Sequence, residues 1–214
     1  NHMAYLKIAE GCDKRCSYCI IPKIRGRFRS VPMQELLNEA KRLASEGVKE
    51  LVLVAQETTL YGKDLTGEKQ LPLLLHELCK IEGIEWIRLL YCYPEEITDE
   101  LIKVIKTEEK VCNYIDMPIQ HSENRILQRM GRRTSREDLV AVIKKLRKEI
   151  PDITIRTTLI TGFPGESQED HEGLMNFVEE CQFDRLGVFT YSPEEDTLAA
   201  TFEDQIDEEV KEER

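Results

Sequence analysis

Cys12, Cys16 and Cys19 put three thiols within eight residues, in the spacing C-x3-C-x2-C. They follow directly on the strand-like run Tyr5-Leu-Lys-Ile-Ala9, so the spacing sets three soft ligands on one loop at the end of a strand. Thiolates select zinc, copper(I) or iron–sulfur clusters, and a structural zinc site normally closes with four ligands drawn from two spaced pairs. No fourth Cys or His follows locally. Three local thiolates fit a 4Fe–4S cluster in which one iron keeps an open position, a departure from the usual four-thiolate cluster. The alternative is a non-catalytic zinc-binding module completed by a distant fourth ligand.

The loop needs a scaffold, and the rest of the chain alternates strand and helix patterns. A first helix is expected from Pro32 to the stop at Gly47, then the β-branched strand Glu50–Ala55, a helix over Leu71–Lys80 and the strand Trp86–Tyr91. Thr98 caps a helix to about Lys106, Tyr114–Pro118 reads as a short strand, and helices follow over Glu123–Met130 and Ser135–Glu149. The strand Ile153–Ile160 runs into the turn Thr161-Gly-Phe-Pro-Gly-Glu166; Ser167 then caps a helix, and Arg185–Tyr191 is the sixth strand. Between Ile20 and Val31 there is no clear period, and the connection counted from Gly11, about twenty residues, exceeds an ordinary βα loop and is usually functional.

Alternating units of this kind imply a parallel sheet. Eight barrel strands usually need about 250 residues. Six strands in 214 residues therefore predict an α/β fold: a partial, laterally open (β/α)6 TIM-like barrel with outer helices. Neither G-x-G-x-x-G after the first strand nor G-x-x-x-x-G-K-[ST] occurs, so the two best-known nucleotide folds lack their signatures.

In such a barrel the site lies at the carboxyl ends of the strands. The polar residues collect there: the cysteines after strand one, Gln56 to Thr59 after strand two, Gln120 and His121 after strand four, and Gly162 to Glu166 after strand five. Alternation along the fifth strand turns Arg156 away from the helices, where a cation needs a carboxylate partner, either a ligand's or an internal Glu. The same need applies to Arg88. His121 reads as a hydrogen-bonded residue at a strand end and His76 as plain surface. No nucleophile is paired with a base in sequence, and no H-E-x-x-H occurs.

Hydrophobic content of 41% and charged content of 33% describe a soluble globular chain. No apolar run approaches the roughly 18 residues of a membrane span, and no signal peptide is expected. The net charge of -11 argues against a phosphate-backbone grip, which draws on clustered Lys and Arg. Lys23, Arg25, Arg27 and Arg29, and Arg129, Arg132, Arg133 and Arg136, form two local basic clusters that read as solvated surface. Seven cysteines without a regular framework suggest a reducing compartment. Cys79, Cys92, Cys112 and Cys181 read as small core residues. Asn1-His2-Met3 resembles an expression-tag remnant, residues 4–202 form the expected core domain, and the charged tail 203–214 reads as a helix start or a linker.

With these residues laid out, the chain resembles the radical S-adenosylmethionine (SAM) superfamily, whose hallmark is C-x3-C-x2-C with an aromatic, here Tyr18, before the last cysteine. Within it, residues 10–26, 117–122, 156–166 and 189–197 resemble the methylthiotransferases. The segment Gln56-Glu-Thr-Thr-Leu-Tyr-Gly62 looks most like the branch that modifies an aspartate of a small-subunit ribosomal protein. The tRNA-adenosine branch is the runner-up. The resemblance implies a 4Fe–4S cluster on Cys12, Cys16 and Cys19 and SAM as second cofactor. It implies that Gln56 and Glu57 lie near SAM's amino end, Gln120 and Arg156 near its ribose or carboxylate, and Ile160, Gly162, Phe163 and Glu166 near adenine. It further implies a cytoplasmic enzyme, expected as a monomer, fed by a low-potential donor such as flavodoxin or ferredoxin. An amino-terminal domain with a second 4Fe–4S cluster and a carboxy-terminal TRAM domain, both outside this chain, are also implied.

Overall fold

The computed structural model describes residues 2–214; of the expected tag remnant, Asn1 lies outside them. Strand β1 (Met3–Lys7) leads to a short antiparallel hairpin, β2 (Ala9–Glu10) and β3 (Arg29–Ser30), with helix α1 (Ile21–Arg25) inside the loop it closes. Helix α2 (Met33–Ser45), strand β4 (Glu50–Val54), helices α3 (Lys63–Thr66) and α4 (Leu71–Cys79) and strand β5 (Trp86–Leu89) follow. Next come α5 (Asp99–Thr107), β6 (Tyr114–Asp116), α6 (Asn124–Arg129), α7 (Arg136–Glu149), β7 (Thr154–Thr161), α8 (Gln168–Cys181), β8 (Arg185–Thr190) and α9 (Glu208–Glu213).

Six strands run parallel in two groups of three, β1-β4-β5 and β6-β7-β8. An isolated bridge between Ile87 and Val111 joins the groups, reinforced by Cys92 N–H donating to Asp116 O at 2.8 Å. This α/β alternation follows from local sequence. Thr98 Oγ1 accepts Leu101 N–H, and Ser135 with Asp138 and Ser167 with Asp170 form reciprocal capping boxes at the starts of α5, α7 and α8. Leu51, Leu53, Ile87, Leu89, Ile115, Ile155 and Leu159 turn one face of the sheet onto Leu36, Ala40, Leu74, Leu78, Ile105, Leu139, Ile143 and Phe177 of the helices. Each such side chain contributes about 1.5–3 kcal/mol when fully buried.

The structure adds detail to four local readings. The stretch after the cysteines contains the short helix α1, whose lack of buried residues explains why no period was visible. Met3 already belongs to β1, and His2 O accepts the N–H groups of Lys49 and Glu50. Tail residues 208–213 are helical, and Lys211, 2% exposed, packs against the Gly162 turn. Three of the four arginines in the second basic cluster are engaged: Arg129 pairs with Asp204 at 2.6 Å, Arg136 with Glu123 at 2.6 Å, and Arg132 is buried, while Arg133 is exposed as expected.

Candidate functional site

The cysteine loop is held from several sides. Gly11 has φ +80°, and a Cβ there would lie 2.2 Å from Arg27 O, so only glycine lets β2 and β3 close at this point. Cys12 N–H donates to Gly26 O at 3.2 Å, Cys19 N–H to Cys16 O at 3.1 Å, and Ser17 N–H to Met130 O at 2.9 Å. Gly11 N–H donates to Gln56 Oε1 at 2.8 Å. Cys12 and Cys16 are buried and Cys19 half-buried.

Burial pushes the Cys12 thiol up to about 11 and raises Cys19 as well. Such thiols stay protonated at neutral pH until a soft cation binds the sulfur and displaces the proton to solvent. Three thiols on one loop suit a 4Fe–4S cluster, in which three irons would each take one thiolate and the fourth would stay open.

Beyond β4, Glu57 is 1% exposed, and its Oε1 accepts Thr59 N–H at 2.9 Å and the Thr59 hydroxyl. Its Oε2 is buried with no partner. Burial pushes this carboxyl up to about 7. An orphaned carboxylate oxygen at a strand end is ready to accept a donor that a ligand brings.

Tyr18, Cys19, Ile20, Ile21, Gln120 and Ile160, with Phe189 to Ser192 and Glu194, line a cavity of about 440 Å³. That volume lies in the range of small-molecule sites. Gln120 sits at φ +72°, donating its N–H to Thr158 O and accepting Ile160 N–H, an irregular pairing at the end of β6. A larger cavity of about 800 Å³ opens at the amino ends of the strands. Its Glu50 and Arg88 are already bonded to each other at 2.7 Å, and parallel α/β sheets bind ligands at the opposite end.

The remaining expected site residues divide. Arg156 shares the less buried face of β7 with Thr158 and Ile160, as alternation predicts, but its partner is Asp116 at 3.8 Å, an aspartate. Gly162, Phe163 and Glu166 lie behind the cavity wall. A Cβ on Gly162 would meet Lys211 Cγ at 2.4 Å. Phe163 is fully buried and meets Tyr18, Tyr191 and Phe202 edge-on. Glu166 accepts from His121 Nε2 at 3.2 Å, Gly162 N–H at 3.1 Å and Arg214 Nη1 at 2.6 Å. Of these three, Phe163 backs Tyr18, while Gly162 and Glu166 pack toward the carboxy-terminal helix and His121.

Sequence reading missed Tyr93 and Arg132. The hydroxyl of Tyr93 lies 4.0 Å from Cys16 Sγ, and the Arg132 guanidinium stacks 4.3 Å from the Tyr93 ring centroid. The position of Tyr93 just beyond β5, at the carboxyl end of a strand, was the available signal.

A profile of the Radical SAM superfamily matches residues 6–178. The ribosomal protein uS12 methylthiotransferase RimO of Lachnoclostridium phytofermentans is 66% identical over 98% of this chain, which covers 48% of that protein. Among solved structures, the radical S-adenosylmethionine methyltransferase TsrM from Kitasatospora setae, with cobalamin and a [4Fe-4S] cluster bound, superposes with a TM-score of 0.73 at 18% identity, over 89% of this chain and 38% of that one. Coproporphyrinogen III oxidase HemN from Escherichia coli, described as a radical SAM enzyme, gives 0.72 at 20% identity, over 98% and 49%. These two likenesses speak to the fold. The chain spans about half the length of the curated relatives it matches.

Proposed function

The chain belongs to the radical SAM superfamily, and from that premise we propose that it is the SAM-cleaving core of a methylthiotransferase acting on an aspartate of ribosomal protein uS12. Support comes from three strand-end thiols, of which Cys19 lines a cavity with Tyr18, Gln120 and Ile160, and from the buried, unpartnered Glu57 Oε2 after the neighbouring strand. Cys12, Cys16 and Cys19 hold a 4Fe–4S cluster. When bound, the cluster and SAM together supply a 5'-deoxyadenosyl radical. Glu57 Oε2 accepts the amino group of SAM, Gln56 holds the cysteine loop in register, and Gln120 and Ile160 flank the nucleoside. Tyr18, braced by Phe163, closes one wall. Arg156 faces the substrate side and orients a carboxylate there, in exchange for its long contact with Asp116.

In this reading the six parallel strands form the laterally open (β/α)6 barrel, and residues 4–202 are its core. Sulfur insertion belongs to the second cluster of an amino-terminal domain, and residues 203–214 lead toward a TRAM domain. A low-potential donor such as flavodoxin or ferredoxin reduces the core, in the cytoplasm, with the enzyme a monomer. The net charge of -11 favours a basic ribosomal protein over tRNA as the target.

Anaerobic reconstitution with iron and sulfide should load about four irons per chain, and reductant with SAM should yield 5'-deoxyadenosine. Alanine at Cys12, Cys16 and Cys19 together should abolish both, and a triple variant that still binds the cluster sinks the assignment. For the target, the whole enzyme is supplied with uS12 and with tRNA, and the methylthio mass shift is located. A shift on tRNA alone overturns the ribosomal reading.

A further inference from the structure

Arg132 is 7% exposed, yet only its Nη2 is satisfied, by Pro118 O at 3.1 Å; Nε and Nη1 are buried without a hydrogen-bond partner. Leaving a buried donor unpaired costs about 1–3 kcal/mol, and more for a charged group. Among the described residues no carboxylate lies within ion-pair distance of it, and Glu95 acts on its charge only from further off. Its guanidinium lies over the ring of Tyr93, whose hydroxyl is 4.0 Å from Cys16 Sγ.

The turn that carries Arg132 is laid directly on the cysteine loop. Ser17 N–H donates to Met130 O at 2.9 Å and Ser17 Oγ to Arg129 O at 2.8 Å. Gly131 has φ +73°, and a Cβ on it would stand 2.7 Å from Arg15 O, so the approach is as close as two backbones allow. A backbone contact this tight fixes where the arginine begins. The Tyr93 ring, whose hydroxyl approaches Cys16, fixes where its charge ends.

We infer that Arg132 tunes the reduction potential of the cluster, one of its two unpartnered N–H groups donating to sulfur on the Cys16 side. This rests on the proposed function. One electron enters from the low-potential donor and no proton accompanies it, because a guanidinium stays protonated in proteins. A buried, fixed positive charge with hydrogen bonds to sulfur favours the state that carries one more negative charge, and so raises the potential. Tyr93 acts through Arg132 and is a positioning residue.

The test is a redox titration of the reconstituted chain, followed by the EPR signal of the reduced cluster in the absence of SAM. In Arg132→Gln the reduced-to-oxidised ratio at the wild-type midpoint should fall by about tenfold, equal to about 59 mV for one electron. Arg132→Lys, which keeps the charge, should recover most of that loss. Wild-type chain carrying ¹⁵N-guanidinium arginine should show nitrogen coupling and exchangeable-proton coupling to the reduced cluster, a readout that does not require any variant to fold. A wild type with four irons but no such coupling overturns the inference alone, as do Gln and wild-type potentials that coincide. A wild type that takes up no cluster overturns the proposed function and the inference with it.

Discussion

Gln56 Oε1 accepts the backbone N–H of Gly11 at 2.8 Å, across 45 positions of sequence, and so ties the polar turn after β4 to the first residue of the cysteine loop. Replacing Gln56 by Leu strands that N–H and should destabilise the fold by about 1–3 kcal/mol. Gly11→Ala should be worse, since its Cβ would run into Arg27 O at a positive φ. Thermal unfolding, with iron retained after gel filtration, checks both. A Gln56→Leu chain that keeps wild-type iron and stability would show that the clamp is incidental.

Glu57→Gln should weaken SAM binding to the reconstituted chain by about ten- to a hundredfold, the size of a lost charge-assisted hydrogen bond. Titration calorimetry with SAM reads this directly. Unchanged affinity would remove Glu57 Oε2 from the binding site.

Glu166 supplies a pH dependence. Burial alone would raise its pKa, but His121, the Gly162 N–H and Arg214 outweigh it and hold the carboxyl below its ordinary value. A depressed folded pKa contributes stability that is fully present above the unfolded value of about 4.3 and is lost as pH falls through the lower folded value. At pH 7 Glu166→Gln should therefore destabilise by about 3 kcal/mol, leaving Arg214 buried without its countercharge. Urea titrations at pH 7, 5 and 3 should show the gap between wild type and variant closing toward pH 3. A gap independent of pH would contradict the assignment.

Phe163→Ala should destabilise by about 3–5 kcal/mol, because the ring is fully buried among Tyr18, Tyr191 and Phe202. It should also speed loss of the cluster, since Tyr18 adjoins Cys19. Urea unfolding and the rate of iron release to a chelator measure the two effects. Release at the wild-type rate in a destabilised variant would detach the aromatic group from the site.

Local signals made much of this structure legible in advance. Thr98, Ser135 and Ser167 cap their helices as their spacing suggested, because a cap is decided within one turn. The six strands and the cysteine loop at the end of the first were visible for the same reason. Long-range packing was not. Arg132 read as surface charge because the Tyr93 ring that covers it is contributed by another βα unit. Nor could local pattern show that side chains of Lys211, Asp204 and Arg129 pack against the glycines of the Gly162–Gly165 turn. Arg156 was placed on the right face, while its partner Asp116 depends on the register of β6 against β7, which no local pattern fixes.

The single bridge between Ile87 and Val111 divides the sheet into halves that bear different parts of the site. The thiol loop and Glu57 ride on the half containing β1, β4 and β5, whereas Gln120 and Ile160 ride on the half containing β6, β7 and β8. Bonds span that seam: Ser17 N–H donates to Met130 O at 2.9 Å and Cys92 N–H to Asp116 O at 2.8 Å. The spacing between the thiols and the Gln120–Ile160 wall is therefore held by backbone contacts that tie one half to the other.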